Sequence, residues 1–230
     1  MIKGLTSIIL NSYSPLKSQR HSDMACIAAI RKFTDEPYEI IIIDNCQVHR
    51  FRDDYGVLAP YTFVENKKNV NVYASWNQGA KLAKGEYLVF VQSDVFVNER
   101  TINKLVKYLE KYDIAYPQQI ELTREAVKKI YDTPDGVETD HGWRDAGMLA
   151  ITREAFDKSG GWDGRFHNLL GEAAYYTKID QAGLSWTANT NAIITHIMAG
   201  NNLTKDGGLY NKEMTHDAEL LRKYYDWDNR

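Results

Sequence analysis

The chain predicts an α/β fold, with a mostly parallel sheet flanked by helices and a single domain over residues 1–230. Three features carry this expectation. Apolar runs such as Ile40–Ile43 are continuous rather than alternating, as in strands covered on both faces. Helix-length amphipathic stretches separate these runs. A length of 230 residues suits one α/β core.

Taken in order, Thr6–Leu10 reads as a buried strand and Asp23–Lys32 as a helix with Met24, Ile27, Ala28 and Ile30 facing the core. Strand Glu39–Ile43, a polar connection and the short strand Thr62–Val64 follow. Helix Ala74–Ala83, strand Tyr87–Val91, helix Glu99–Glu110 and strand Ile114–Tyr116 complete a βαβ array close to a doubly wound nucleotide-binding layout. The first half is taken as residues 1–117. Residues 118–196 form a second half that begins with the polar excursion Gln118–Arg144, broken at the turn Thr133-Pro134-Asp135-Gly136. Strand Gly147–Ile151 returns to the core. Helix Arg153–Lys158 ends at Gly160-Gly161, and helix Glu172–Ala182 ends at Gly183. Trp186–Thr190 and Ala192–Thr195 read as strands leading to His196. Residues 197–230 comprise a Gly- and Asn-rich loop, Ala199–Asn211, and a final helix, Asp217–Tyr225.

Composition narrows the function. With 28 basic and 31 acidic residues the net charge is −3, and no basic block is present. That argues against a nucleic-acid partner. No apolar run reaches membrane-spanning length, and the N-terminus enters a strand pattern directly, so neither a membrane span nor a signal peptide is expected. Cys26 and Cys46 form no framework or CxxC pair. Free thiols in a reducing, cytoplasmic compartment are the expectation.

Ligands of open parallel sheets sit beyond the carboxyl ends of the strands. Those ends carry Asn11-Ser12-Tyr13, Asp44-Asn45, Gln92-Ser93-Asp94 and His196. Each alone has an ordinary explanation as a cap or turn residue. Four such clusters on one sheet point to a polar site. The chain lacks G-x-G-x-x-G after its first strand, and it lacks G-x-x-x-x-G-K-[ST], G-x-S-x-G and H-E-x-x-H. Dinucleotide redox, P-loop, serine-hydrolase and zincin chemistry are thereby disfavoured.

From Thr6 to His196 the chain resembles glycosyltransferase family 2, whose fold is named GT-A. Ser7-Ile8-Ile9-Leu10-Asn11-Ser12-Tyr13 is similar to the family's S-V-I-I-P-T-Y opening, and Ile40–Asn45 to its second strand ending V-D-D or V-D-N. Asn77-Gln78-Gly79-Ala80 and Ala83–Phe90 resemble N-x-G followed by A-x-G-x-Y-L-x-F. Gln92-Ser93-Asp94 stands in the place of D-x-D, and Gly160-Gly161-Trp162-Asp163 in that of G-G-F-D.

The resemblance implies an inverting transfer from a nucleotide-sugar donor, UDP-linked by preference, to the hydroxyl of a glycan or other acceptor. It implies Mn²⁺ or Mg²⁺ on the diphosphate, with Asp94 and His196 as ligands; an imidazole tilts the choice towards Mn²⁺. Tyr13 and Asp44 are expected at the nucleotide base, and Ser12, Asn77 and Ser93 at the base, ribose or diphosphate. The ordinary roles of these residues are core packing for Tyr13 and caps for the others. Two departures stand out. Gln92 replaces an acid in D-x-D, and where the family has E-D this chain has Glu172-Ala173. Glu172 and Asp145 are therefore both candidates for the base, set against the ordinary role of Glu172 as a helix N-terminal charge. Lys205 is a candidate phosphate contact within a closing loop. Trp143 is the expected acceptor contact, while Trp162 and Trp186 are expected in the core. A catalytically silent nucleotide-sugar or carbohydrate-binding protein is the alternative suggested by Ala173, and a nucleotidyltransferase a weaker one.

Overall fold

The computed structural model describes residues 1–13, 17–35, 37–46, 61–119, 137–138, 144, 147–167, 170–196 and 208–225. Strands β1 (Ile2–Ser12), β2 (Tyr38–Asp44), β3 (Thr62–Glu65) and β4 (Gly85–Gln92) pair in parallel, in the order β3-β2-β1-β4. Their register sets Ser12 opposite Asp44, Asn11 opposite Gln92 and Asp44 opposite Glu65, so all four strands finish along one edge. β8 (Met148–Thr152) then runs antiparallel to β4. β6 (Ile114–Ala115) is antiparallel to β8, and β9 (Trp186–Thr187) lies parallel to β6. Among the described strands of this sheet only β8 runs against the others, so four of its six pairings are parallel and the sheet is mostly parallel, as the sequence predicts. An apolar run buried on both faces looks the same in either direction.

Side-chain alternation along the central strands divides the core in two. Ile9, Ile41, Ile43, Leu88 and Phe90 face one side, against α2 (Val72–Leu82), α4 (Arg153–Ser159), α5 (Gly171–Gln181) and α6 (Gly208–Tyr225). Ile8, Leu10, Ile40, Ile42, Val89 and Val91 face the other, against α1 (Lys17–Phe33) and α3 (Thr101–Tyr108). The glycine of the Asn77-Gln78-Gly79 motif serves this packing. A Cβ on Gly79 would come within 2.2 Å of Ile9 Cγ2, so only glycine lets α2 lie this close to β1.

β5 (Val95–Val97), β10 (Ile193–His196) and β7 (Gln118–Gln119) make a second, smaller sheet in the order β5-β10-β7. The sequence reading did not assign β5 or β7; runs of two or three residues carry no usable period. The helix α1 starts six positions before the expected Asp23, which lies within it and fully buried, and Ala28, expected in the core, is exposed. α6 begins at Gly208, inside the segment expected as a loop; its packing against α5 overrides a weak local preference. Residues 199–207, including Lys205, lie outside the described residues. Trp162 is core, as expected. Trp186 is a correction: it sits exposed on the outer strand β9, with the Arg144 guanidinium 3.9 Å above its ring. Among the described residues no helix is long and apolar enough to cross a membrane.

Candidate active site

The turn after β4 presents Ser93 and Asp94 and leads directly into β5. β10 runs antiparallel to β5 with His196 opposite Val95, which brings the last residue of the second sheet beside that turn. His196 Nε2 lies 3.4 Å from Asp94 Oδ1, with side chains 14% and 10% exposed. Two ligands of one divalent ion held at about 2.1 Å stand about 3.0–3.4 Å apart, so this nitrogen–oxygen pair fits such an ion. Beneath it, Cys26 is buried in α1 with its thiol against the Gln92 carbonyl at 3.9 Å. Burial first, then the charges of Asp23 and Asp94, push this thiol well above its ordinary range. It stays a protonated core group.

Around this pair the strand ends supply a hydrogen-bonded floor. Asp44 is buried and its Oδ1 accepts the Cys46 N–H at 2.9 Å, an Asx-type turn that closes β2. Asn45 is the hub of an amide network. Its Nδ2 donates to Asn11 Oδ1 at 2.8 Å and Ser75 Oγ at 2.6 Å, while its Oδ1 accepts from Asn66 Nδ2 at 2.8 Å. Asn66 and Gln78 then exchange amide hydrogen bonds. The network joins the ends of β1, β2 and β3 to α2, which fixes the edge above which Tyr13 emerges half-buried.

Two expected ligand contacts are otherwise engaged. Ser12 is fully buried and its hydroxyl donates to Asp23 Oδ2 at 2.8 Å. The Asn77 amide is occupied at both ends by the Gly160-Gly161-Trp162 turn, donating to the Trp162 carbonyl at 2.8 Å and accepting the Trp162 N–H at 3.0 Å. It binds helix to turn, away from the strand-end edge. Ser93 is buried beside Asp94 in the same turn.

Glu172 occupies the first turn of α5 and accepts a hydrogen bond from the Tyr73 hydroxyl of α2. Burial, followed by the charge of Glu172, drives the Tyr73 hydroxyl well above its ordinary range, so Tyr73 remains a donor that holds the carboxylate in place. Gly171 makes the approach possible, because a Cβ there would meet Tyr73 Cε2 at 2.2 Å. Ala173, at the place of the second acid, is buried in the core. Asp145 and Trp143 lie outside the described residues. Their neighbour Arg144 is anchored between Trp186 and Tyr176 and pairs with Asp180 at 3.0 Å. Asn45 belongs to the strand-end cluster Asp44-Asn45, but nothing in the sequence marks Tyr73, whose partner Glu172 is too distant along the chain to leave a local pattern.

The chain matches the family described as "Glycosyl transferase family 2" over residues 24–171. It is 26% identical over 168 residues to a protein described as an uncharacterized glycosyltransferase from Haemophilus influenzae, covering 68% of this chain and 56% of that protein. Among solved structures it is similar to GalNAc-T7 with UDP, GalNAc and Mn²⁺, at TM-score 0.65 and 16% identity, covering 83% of this chain and 43% of that one. It is also similar to the mannosyltransferase PcManGT of Pyrobaculum calidifontis in complex with GDP-Man and Mn²⁺, at TM-score 0.64 and 16% identity, covering 95% of this chain and 64% of the other. The chain therefore spans about half of the curated relative that it matches, and the structural likenesses establish a shared GT-A architecture.

Proposed function

This chain belongs to glycosyl transferase family 2, and on that premise we propose that it moves a sugar, with inversion, from a nucleoside-diphosphate donor to an acceptor hydroxyl of a glycan. The observation that carries the reading is the pairing of His196 with Asp94 at 3.4 Å on the edge where the strands end. Imidazole and carboxylate are the donor set for Mn²⁺, with Mg²⁺ the harder-ligand alternative. A divalent cation bound there supplies Lewis-acid neutralisation of the diphosphate as it departs. UDP is the preferred nucleotide. UDP and GDP-Man, both with Mn²⁺, in the two similar structures support a nucleoside-diphosphate donor.

The chain's own residues divide the remaining work. Tyr13 offers a ring for the base, Asp44 borders the same edge, and Ser93 flanks the diphosphate position. Glu172, held by Tyr73, takes the proton of the incoming hydroxyl; Asp145 is the other carboxylate proposed for this step. A silent sugar-nucleotide-binding protein is the second reading, and burial of Ala173 where the family has an acid is what favours it.

A thermal-shift panel of UDP, GDP, dTDP and CMP with and without Mn²⁺ tests the proposal. Ligand at 100 times its Kd stabilises by about 2.7 kcal/mol, roughly 5–10 °C for a domain of this size. The expected shift requires the metal and disappears in Asp94→Ala. An equal shift in that variant removes the metal assignment. A metal-dependent shift with neither transfer nor donor hydrolysis establishes the silent reading instead.

A further inference from the structure

On the face of the main sheet that carries α5 and α6, α6 holds His216 and Asp217, and the segment leading into α5 holds His167. Asp217 is 0% exposed. Its Oδ1 accepts the His167 backbone N–H at 3.0 Å and its Oδ2 accepts that of Leu170 at 3.4 Å, which fixes the segment against α6. The imidazoles of His167 and His216 consequently lie face to face, with centroids 4.0 Å apart and planes 17° from parallel. His216 Nδ1 stands 3.0 Å from Asp217 Oδ1.

We propose that His167, His216 and Asp217 form a second metal site, specific for a borderline divalent ion of the zinc class and separate from the Asp94–His196 pair. One donor atom from each residue lies within 4.8 Å of the others. Ligands of a single ion at about 2.0–2.2 Å stand about 3.0–3.5 Å apart, so the His216–Asp217 pair is already at that spacing, and closing the set from 4.8 Å takes a movement of about 1.3–1.8 Å together with rotation of the stacked rings, whose lone pairs lie in their planes. The two rings can supply it. The His216 side chain is 41% exposed and His167 is half-buried, so both can turn and an ion can reach them. Two imidazoles and one carboxylate select Zn²⁺, Co²⁺ or Ni²⁺ over Mg²⁺ or Ca²⁺, which prefer oxygen.

The ion would act as a clamp. It joins α6 to the stretch immediately before the helix that presents Glu172. The charge of Asp217 is already felt at the Tyr73 hydroxyl, the partner of Glu172, so the two clusters are electrostatic neighbours. This inference is independent of the donor-site reading, since its residues and its ion differ.

The test uses the full chain carrying Asp94→Ala and His196→Ala, so that metal binding at the strand-end pair is removed. After treatment with chelator, Co²⁺ and Zn²⁺ are titrated and followed by the Co²⁺ d–d absorption and by calorimetry. The expected result is one equivalent of Co²⁺ with ligand-field bands of low coordination number, displaced by Zn²⁺ and not by Mg²⁺. His216→Ala, at a partly exposed position, abolishes the bands while the far-UV circular dichroism is retained. Asp217→Asn, which removes the carboxylate charge from the donor set, weakens binding. Absence of stoichiometric binding in the parent, or binding that survives both His167→Ala and His216→Ala, overturns the proposal. Binding that disappears only when Asp94 and His196 are replaced also overturns it.

Discussion

The hydroxyl of Tyr73 and the carboxylate of Glu172 are hydrogen-bonded across 99 residues of chain, joining the first turns of α2 and α5. Burial keeps the tyrosine protonated, so the bond persists wherever Glu172 is ionised. Tyr73→Phe removes the donor while keeping the ring. We expect a loss of about 1.5–3 kcal/mol of stability, the usual range for a hydrogen bond to a charged group. Turnover should fall with donor Kd unchanged, as measured by urea unfolding alongside isothermal titration.

Glu172→Gln keeps the hydrogen bond to Tyr73 and removes the proposed base. Transfer or donor hydrolysis should slow by roughly 100-fold or more, the usual contribution of a positioned general base, at undiminished donor affinity. Unaltered turnover assigns the step to Asp145.

His196→Ala leaves Asp94 in place and deletes the proposed nitrogen ligand. The Mn²⁺ concentration at half-maximal donor binding should rise at least about tenfold, equivalent to about 1.4 kcal/mol. Mg²⁺ and Mn²⁺ should then support donor binding to more similar extents, because the softer ligand that favours Mn²⁺ is gone. An unchanged manganese titration in this variant excludes His196 from the metal.

Asp163 gives a pH signature. Burial alone would raise its carboxyl, but hydrogen bonds from Arg165 and Tyr225 outweigh it and hold the group at about 2. Its folded value therefore lies below its unfolded one, so its contribution, about 2 kcal/mol, is fully present above pH ~4 and is lost as pH falls towards 2. The melting-temperature gap between wild type and Asp163→Asn should be widest near neutrality and close over that acidic window. A gap constant from pH 2 to 7 would refute the assignment.

Gly79→Ala places a methyl where Ile9 Cγ2 already sits, so about 1–3 kcal/mol of overpacking is expected in urea unfolding. Combined with Ile9→Ala, which empties the opposing space, the loss should be smaller than the sum of the two single losses.

The long strands are legible because β1, β2 and β4 each contain an unbroken apolar run, and Asp94 and His196 stand out by the rule that ligands meet strand ends, aided by the family resemblance. The direction of β8 was hidden, since Met148–Ile151 is equally apolar read either way. Ala28 is expected in the core but lies exposed on α1, which begins six positions before Asp23, the residue that receives the Ser12 hydroxyl. Core packing is the default expectation for Trp186, whereas its ring packs under a guanidinium that comes from a distant segment. Ser12 and Asn77 fit the motif by position, yet Asp23 and the Trp162 backbone occupy their polar atoms. Pairing of that kind is decided by packing between remote segments and leaves no trace in local spacing.

The antiparallel match of β10 with β5 also sets a schedule. A growing polypeptide that has left the ribosome only as far as β5 exposes the carboxylate of Asp94 but has no imidazole to set beside it, because β10 is translated much later. Domains fold as units as synthesis proceeds, so the two halves of the grip meet only when the enclosing sheet is itself complete. A chain cut short before β10 therefore carries Asp94 without the imidazole that stands beside it in the finished fold.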